Sequence, residues 1–405
     1  MTTKFTNMHF HTIYSFNAEG YSPAKIASLA KQADLAAAGI VDFDVLDGLN
    51  EFYDATSKLN LKASGGIETR VFVPEFADKV INSPGEPGIA YHMGAGIPSG
   101  NLSAEQKKFE DKLRGTAKNR NLELVSRVNT YLSPVELDYE KDVLPLTPKG
   151  NATERHICFA YVQKAAAIFA DAGRLAEFWK EKIGFEKISD QVSLINNIRA
   201  KTMKRGGAGY VQPDTKSFPT MADMNEFVLS VGGIPTLAWL DGTSDGEKQI
   251  EELLRIAMLT GVEAVNIIPD RNYKPGEGKN NDKCKKLYEF VEICQNLDLP
   301  IIAGTEMNSP GQKFVDNFDS EELKPLVDVF LKGALIVYGH TVLQRQAGLG
   351  YKSDWASRNF KNRADKNKFF ETLGKKIVPA KENVLCGLKN SLSPEDIRKI
   401  VNNEQ

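Results

Sequence analysis

The sequence predicts an α/β fold, and two observations carry that prediction. Seven short apolar runs have the length of buried strands, and longer amphipathic stretches suited to helices follow several of them. The chain length of 405 residues allows a large core and suggests one large domain with an insertion, or a few smaller domains. The runs are Lys4–Phe10, Gly39–Asp44, Gly65–Thr69, Gly88–His92, Gly233–Leu240, Gly261–Ile268 and Leu299–Gly304.

Residues typical of helix ends indicate where helices begin and stop between these runs. Ser22 is a suitable N-cap for the first helix, Pro23 suits its first position, and Gly39 follows its alanine-rich end as a stop. Residues 93–221 contain no convincing strand, and they form either a helical insertion or a separate lobe. The chain after Leu323 is also helical in character. The longest helical stretches in the middle block are Ala104–Leu132, Glu154–Ala172 and Leu175–Lys182.

Composition and charge narrow the class of protein. With 41% hydrophobic and 26% charged residues, the chain has the make-up of a soluble globular protein. The net charge of -2 gives no signal for nucleic acid. An apolar leader and a run long enough to span a membrane are both missing, and the four cysteines are far apart. We therefore expect a reducing, cytoplasmic location.

Polar residues stand where most of the apolar runs stop. In a barrel of parallel strands such residues would converge on one face, and the two histidines of a His-x-His pair would point the same way. A mixture of imidazoles and carboxylates suits zinc, manganese or iron. Strand ends are also commonly polar because they emerge into solvent. The residues are His9, His11, Asp42, Asp44, Glu68, His92, Asp241 and Glu306.

The order of these motifs resembles the PHP family, named for polymerase and histidinol phosphatase. His9–Ser15 is similar to its opening H-x-H-T-x-x-S, Val41–Gly48 to T-D-H-D-x-x-x-G, and Gly66–Glu68 to G-x-E. The resemblance continues through Ala90–His92, Glu154–Ile157, Gly232–Leu240 and Gly304–Asn308, and covers about residues 1–310. It implies a distorted seven-stranded (β/α) TIM-like barrel of PHP type with a helical insertion. The implied domains are a barrel over 1–92 and 221–322, an insertion over 93–220 and a helical extension over 323–405.

Three departures from the family pattern reduce the implied metal centre. Phe43, Trp239 and Asn308 stand where the family has histidines. The retained set implies one or two divalent ions, because zinc needs only three protein ligands and a water. The implied metal ligands are His9, His11, Glu68, His92 and Glu306.

The resemblance also implies roles in a phosphoester hydrolysis by metal-activated water. His156 and Arg155 would bind phosphoryl oxygens, and Asp42 and Asp44 would orient a ligand histidine or accept a proton. Capping a loop is nearly as good an explanation for both aspartates, and His156 could simply be a histidine at a helix start. Phe43 and Trp239 could instead narrow the pocket around an organic substrate.

Two classes of function stay open. The first is a metal-dependent hydrolase, most simply a phosphoesterase, acting on a small phosphorylated or anionic substrate. The second is a degenerate PHP protein that binds a small anionic ligand or a structural metal without catalysis. A one-metal barrel isomerase shares the ligand types but not the motif order. His340 lies outside every motif and is interpreted as structural, and Lys201–Gly207 as a solvated loop.

Overall fold

A computed structural model describes residues 4–212, 217–279 and 281–403 of the chain. Each of the seven apolar runs forms a strand whose ends lie within a few residues of the predicted ends. This part of the prediction is therefore confirmed. The strands are β1 (Thr6–Phe10), β2 (Ala37–Phe43), β3 (Ala63–Phe72), β4 (Ile89–Ala95), β5 (Ile234–Trp239), β6 (Ala264–Ile267) and β7 (Ile301–Ala303).

The strands form one sheet in chain order that curls into a seven-stranded, nearly closed barrel. Backbone hydrogen bonds between Glu306 and the two residues His9 and His11 bring the end of β7 beside β1. Gly304 permits this closure, because a Cβ there would lie 2.5 Å from the backbone nitrogen of His9. The predicted TIM-like barrel is therefore confirmed.

One strand departs from the parallel arrangement that we expected from the sequence. β4 runs antiparallel to both β3 and β5, whereas the other neighbouring pairs are parallel. The periodicity of an apolar run is the same in either direction, so the sequence pattern did not reveal the reversal. The chain consequently leaves β4 at the opposite end of the barrel from the carboxyl ends of the parallel strands.

Thirteen α-helices surround the barrel and extend it in the described part of the chain. The Ser22 hydroxyl caps the first helix by accepting a hydrogen bond from the Lys25 backbone N–H, as predicted. The helices are α1 (Pro23–Gln32), α2 (Leu49–Lys58), α3 (Ala104–Leu132), α4 (Glu154–Ile168), α5 (Ala172–Ile183), α6 (Gln191–Ile198), α7 (Met221–Ser230), α8 (Ile250–Leu259), α9 (Asp282–Asn296), α10 (Val327–Ala347), α11 (Asp354–Asn359), α12 (Arg363–Lys376) and α13 (Pro394–Asn403).

Helix α10 packs against the end of the barrel interior. Its apolar residues share one buried cluster with the inward side chains of the strands, including Met8, Val41 and Met93. Gly333 allows the close approach, because a Cβ there would lie 1.9 Å from the Ile301 carbonyl oxygen. The segment Lys324–Ala347 is long and apolar enough to cross a membrane, but 78% of its apolar window is buried inside the protein. It therefore has the surroundings of a core helix.

The helical block between β4 and β5 has its own hydrophobic cluster, formed by α3 to α6 and the segments between them. A stacked pair, Phe109 on α3 and Phe227 on α7 with ring centroids 4.6 Å apart, joins the two helices that connect this block to the barrel. The domain limits given above stay a prediction.

Candidate metal centre and adjoining cavity

Three side chains converge beside the end of β1 and the middle of β3. The Nε2 atoms of His9 and His11 lie 3.3 Å apart, and the Glu68 Oε2 atom lies 3.3 Å from the first and 3.0 Å from the second. All three residues are buried, with exposed fractions of 0%, 0% and 2%. They form the one group of metal-ligating side chains within mutual reach among the described residues.

The other ring nitrogen of each histidine is held by a second residue. His9 Nδ1 lies 2.9 Å from the Oδ1 of Asn266 on β6, and His11 Nδ1 lies 3.0 Å from the Ser15 hydroxyl. Ser15 in turn donates to Asp42 at 2.6 Å. When the two rings are neutral with Nδ1 as the donor, both Nε2 lone pairs point at the common centre; a protonated ring instead donates from Nε2 to Glu68. Partners of this kind fix the tautomer of metal-ligating histidines.

Electrostatics keeps the carboxylate of this cluster ionised. Burial opposes charge on Glu68, but attraction to His9 and hydrogen bonds from both imidazoles lower its pKa to about 2. Two oriented imidazole nitrogens and one carboxylate oxygen are a donor set that suits zinc, manganese or iron. The residues present therefore fit a single divalent ion held by His9, His11 and Glu68.

His92 does not join this cluster, because its register on β4 places its side chain on the outer face of the sheet. Glu68 is paired across the sheet with Met93, so Met93 faces the barrel interior and His92 faces the other side. There His92 Nε2 lies 2.6 Å from the Asn225 Oδ1 on α7. Burial lowers the pKa of His92 to about 4, which keeps the ring neutral.

Glu306 lies beside the cluster but is already engaged. Its backbone adopts the left-handed conformation, with φ of 66°. Its Oε2 accepts hydrogen bonds from the Arg271 guanidinium at 2.9 Å and from the Gln312 amide at 3.1 Å. Glu306 is thus placed at the edge of the centre and paired with a cation of the protein itself.

A cavity of about 500 Å³ lies between the barrel and the helical block. Its wall carries six basic side chains against four acidic ones, so the lining has an excess of positive charge. The basic residues are Arg70, Arg120, Arg155, Arg199, Lys204 and Arg271, and the acidic ones are Asp44, Glu154, Asp270 and Glu306.

Two of these arginines have no carboxylate partner in the described part of the chain. Arg155 donates to Asn196 and Ser309, and Arg120 lies over the ring of Phe218 at 4.8 Å. Burial, reinforced by repulsion from Arg70, lowers the pKa of Arg120 to about 10. An anionic ligand would offset the charge of both groups.

Phe43 stands between the cavity and the buried cluster. Its ring lines the cavity and stacks on the His11 ring, with centroids 4.5 Å apart. Asp44, the next residue, also lines the cavity and accepts a hydrogen bond from the Thr69 hydroxyl at 2.5 Å. Burial raises the pKa of Asp44. The end of β2 thus places an aromatic wall and a weakly acidic carboxyl next to one another.

The remaining predicted site residues are dispersed. Trp239 faces away from the barrel interior, with its ring stacked on Phe290 of α9 at 4.4 Å, and so does not reach the cavity. His156 is buried at the start of α4, where its Nδ1 accepts a hydrogen bond from the Thr153 backbone N–H at 3.1 Å. Burial lowers its pKa to about 4. Asn308, like Arg155, lines the cavity.

Sequence reasoning missed three residues that organise the centre. Asn266 lies on β6 and Arg271 in the turn after it, and the sixth apolar run, Gly261–Ile268, has no polar residue at its end. Ser15 is the serine of the motif H-x-H-T-x-x-S, which by itself does not indicate a role. Each lies at or just after the carboxyl end of a strand, so that position was the available signal.

Comparison with known proteins identifies the fold of this chain but assigns it to no family. No protein-family model and no curated protein matches the sequence. An amidohydrolase from Chromobacterium violaceum, solved with bound sulfate and no metal, matches with a TM-score of 0.51 and 15% identity over 76% of this chain and 88% of its own. A protein described as a metal-dependent phosphoesterase from Bifidobacterium adolescentis matches with a TM-score of 0.52 and 14% identity, over 80% of this chain and 96% of its own. The chain shares the barrel fold of these hydrolases.

Proposed function

We propose that this chain is a metal-dependent hydrolase of PHP type, most simply a phosphoesterase, acting on a small anionic substrate. The observation that carries the proposal is the convergence of the His9 and His11 Nε2 atoms and the Glu68 carboxylate within 3.3 Å of one another. When bound there, a divalent ion supplies Lewis-acid chemistry and an activated water near neutral pH.

The residues of the chain would divide the remaining tasks. Asn266 and the Ser15–Asp42 pair hold the two imidazoles in the orientation that ligation needs. Arg155 and Arg120 would bind the substrate anion, since a guanidinium fork matches phosphate oxygens and neither group is paired with a carboxylate. Asp44, whose pKa is raised by burial, would hold or release a proton at the cavity wall.

One observation favours the second function, a metal bound without catalysis. The His–His–Glu cluster is almost completely buried, and the Phe43 ring lies over His11 on the side of the cavity. None of the three side chains of the cluster lines the cavity. A structural metal needs no contact with the cavity, whereas a metal that acts on a substrate does.

Elemental analysis of the purified chain tests both functions. We expect stoichiometric metal in the wild type, loss of metal in the His9→Ala/His11→Ala double variant, and full retention in His92→Ala, whose ring faces α7. The same three proteins are assayed on phosphomonoesters and phosphodiesters. A wild type without metal would refute the hydrolase, and metal without turnover of any ester would favour the binding protein.

A further inference from the structure

Arg271 occupies a position next to the candidate centre that nothing in the strand pattern anticipated. It ends a short 3-10 turn, Pro269–Arg271, that follows β6. Its guanidinium lies 2.9 Å from the Glu306 Oε2, and the same side chain lines the cavity. Glu306 is joined by backbone hydrogen bonds to His9 and His11, so the ion pair sits directly beside the metal ligands.

The pairing leaves part of the guanidinium free. Glu306 is the one hydrogen-bond acceptor that Arg271 contacts among the residues described, and it uses a single terminal nitrogen. The Arg271 side chain is 45% exposed, whereas that of Glu306 is 7% exposed. An arginine has five N–H donors in a rigid fork, so several remain accessible from the cavity.

The same pairing decides what Glu306 can bind. The Glu306 Oε2 already accepts hydrogen bonds from Arg271 and from Gln312, so a metal would have to be ligated through the other oxygen, Oε1. A second divalent ion held there would lie close to the positive charge of the guanidinium, which opposes its binding. The arrangement therefore already supplies a positive charge where a second ion would otherwise be held.

We propose that Arg271 takes the place of a second metal ion: it neutralises Glu306, limits the centre to one ion, and presents its free N–H groups to the anionic group of the substrate. This inference rests on the proposed function, because it assumes that His9, His11 and Glu68 hold the first ion. It assigns Arg271 both to metal stoichiometry and to anion recognition.

Two binding measurements test the proposal on the full chain without any assay of turnover. Zinc content is measured after incubation with excess zinc and removal of the unbound ion. Inorganic phosphate is then titrated calorimetrically into the zinc-loaded protein. For the wild type we expect one zinc per chain and measurable phosphate binding.

Arg271→Ala should change both results. Removal of the guanidinium frees Glu306, so zinc content should rise above one per chain. Loss of a charge-assisted contact should weaken phosphate binding about tenfold to a hundredfold. Arg271→Lys restores a positive charge without the planar fork, so it should return zinc to one per chain and recover only part of the phosphate affinity. The control Arg255→Ala removes an exposed arginine that is paired with Glu252, and it should change neither quantity.

The outcomes separate this inference from the function on which it rests. A wild type that binds no zinc would refute the proposed function itself. One zinc in the wild type, with unchanged zinc content and unchanged phosphate affinity in Arg271→Ala, would overturn the role of Arg271 and leave the one-metal hydrolase standing. Two zinc ions in the wild type would overturn it as well.

Discussion

Replacing Asn266 by alanine should weaken metal binding without disrupting the barrel. Asn266 is fully buried, and its Oδ1 accepts a hydrogen bond from His9 Nδ1 at 2.9 Å. The truncation leaves that N–H unpaired in the interior, which costs about 1–3 kcal/mol. Loss of a partner of this kind typically weakens metal affinity tenfold to a hundredfold, or about 1.4–2.7 kcal/mol. Competition with a chromophoric zinc chelator measures the change in Kd.

Asn225→Ala provides the matched control. Asn225 is equally buried and its Oδ1 faces a histidine, His92, at 2.6 Å, but on the outer side of β4. It should lower the free energy of unfolding in urea by a similar amount and leave the zinc Kd unchanged. An Asn266→Ala chain that folds and binds zinc as tightly as the wild type would show that the orientation of His9 does not control this site. A weaker Kd in Asn225→Ala would instead implicate His92 in metal binding.

Three further predictions concern stability and pH. Trp239→Ala should lower the free energy of unfolding by about 3–5 kcal/mol, because it removes a buried ring stacked on Phe290. The affinities for zinc and phosphate should stay unchanged. A loss of phosphate affinity would show that Trp239 belongs to the binding site. Burial raises the pKa of Asp316 to about 7, so the folded chain holds this proton at pH values where the unfolded chain has lost it. The free energy of unfolding should therefore fall as pH rises from about 4 to 7, by up to about 1.4 kcal/mol per pH unit, and Asp316→Asn should flatten this dependence in urea titrations; an unchanged slope would contradict the assignment. Gly333→Ala should lower the free energy of unfolding by about 3 kcal/mol or more, because its Cβ would overlap the Ile301 carbonyl. Gly115→Ala, in the open middle of α3, should instead raise it by about 0.5–1 kcal/mol. Thermal melts that rank the two variants in the opposite order would refute the packing of α10.

Local patterns predicted the elements of this fold well. Apolar runs gave all seven strands, and the bounds of α3, Ala104–Leu132, agree with the predicted stretch. Both results depend on interactions between near neighbours in the chain, namely the alternation of side chains along a strand and the period of a helix. The convergence of His9 and His11 with Glu68 was also predicted, since the side chains of a His-x-His pair point the same way along a strand.

The direction of β4 and the pairing of charges were not predictable in the same way. Whether His92 faces inward depends on which residue of β3 lies opposite it, and that register is set by contacts across the sheet. Likewise, Arg271 and Glu306 are 35 residues apart and meet because they follow the paired neighbouring strands β6 and β7. Sequence periodicity carries no information about either contact, which is why His92 and Glu306 were assigned the same role.

The reversed β4 also brings helix α3 to the wall of the cavity. Because that strand ends at the far side of the barrel, the chain returns along α3, a helix of 29 residues and about 44 Å, and comes back down along α7. Residues in the middle of α3, including Leu113 and Arg120, form part of the cavity wall. Phe109 lies on the same helix, and its stack on Phe227 joins this part of the wall to α7. A substitution that changes the volume of either ring should therefore shift α3 and alter ligand affinity without contacting the ligand.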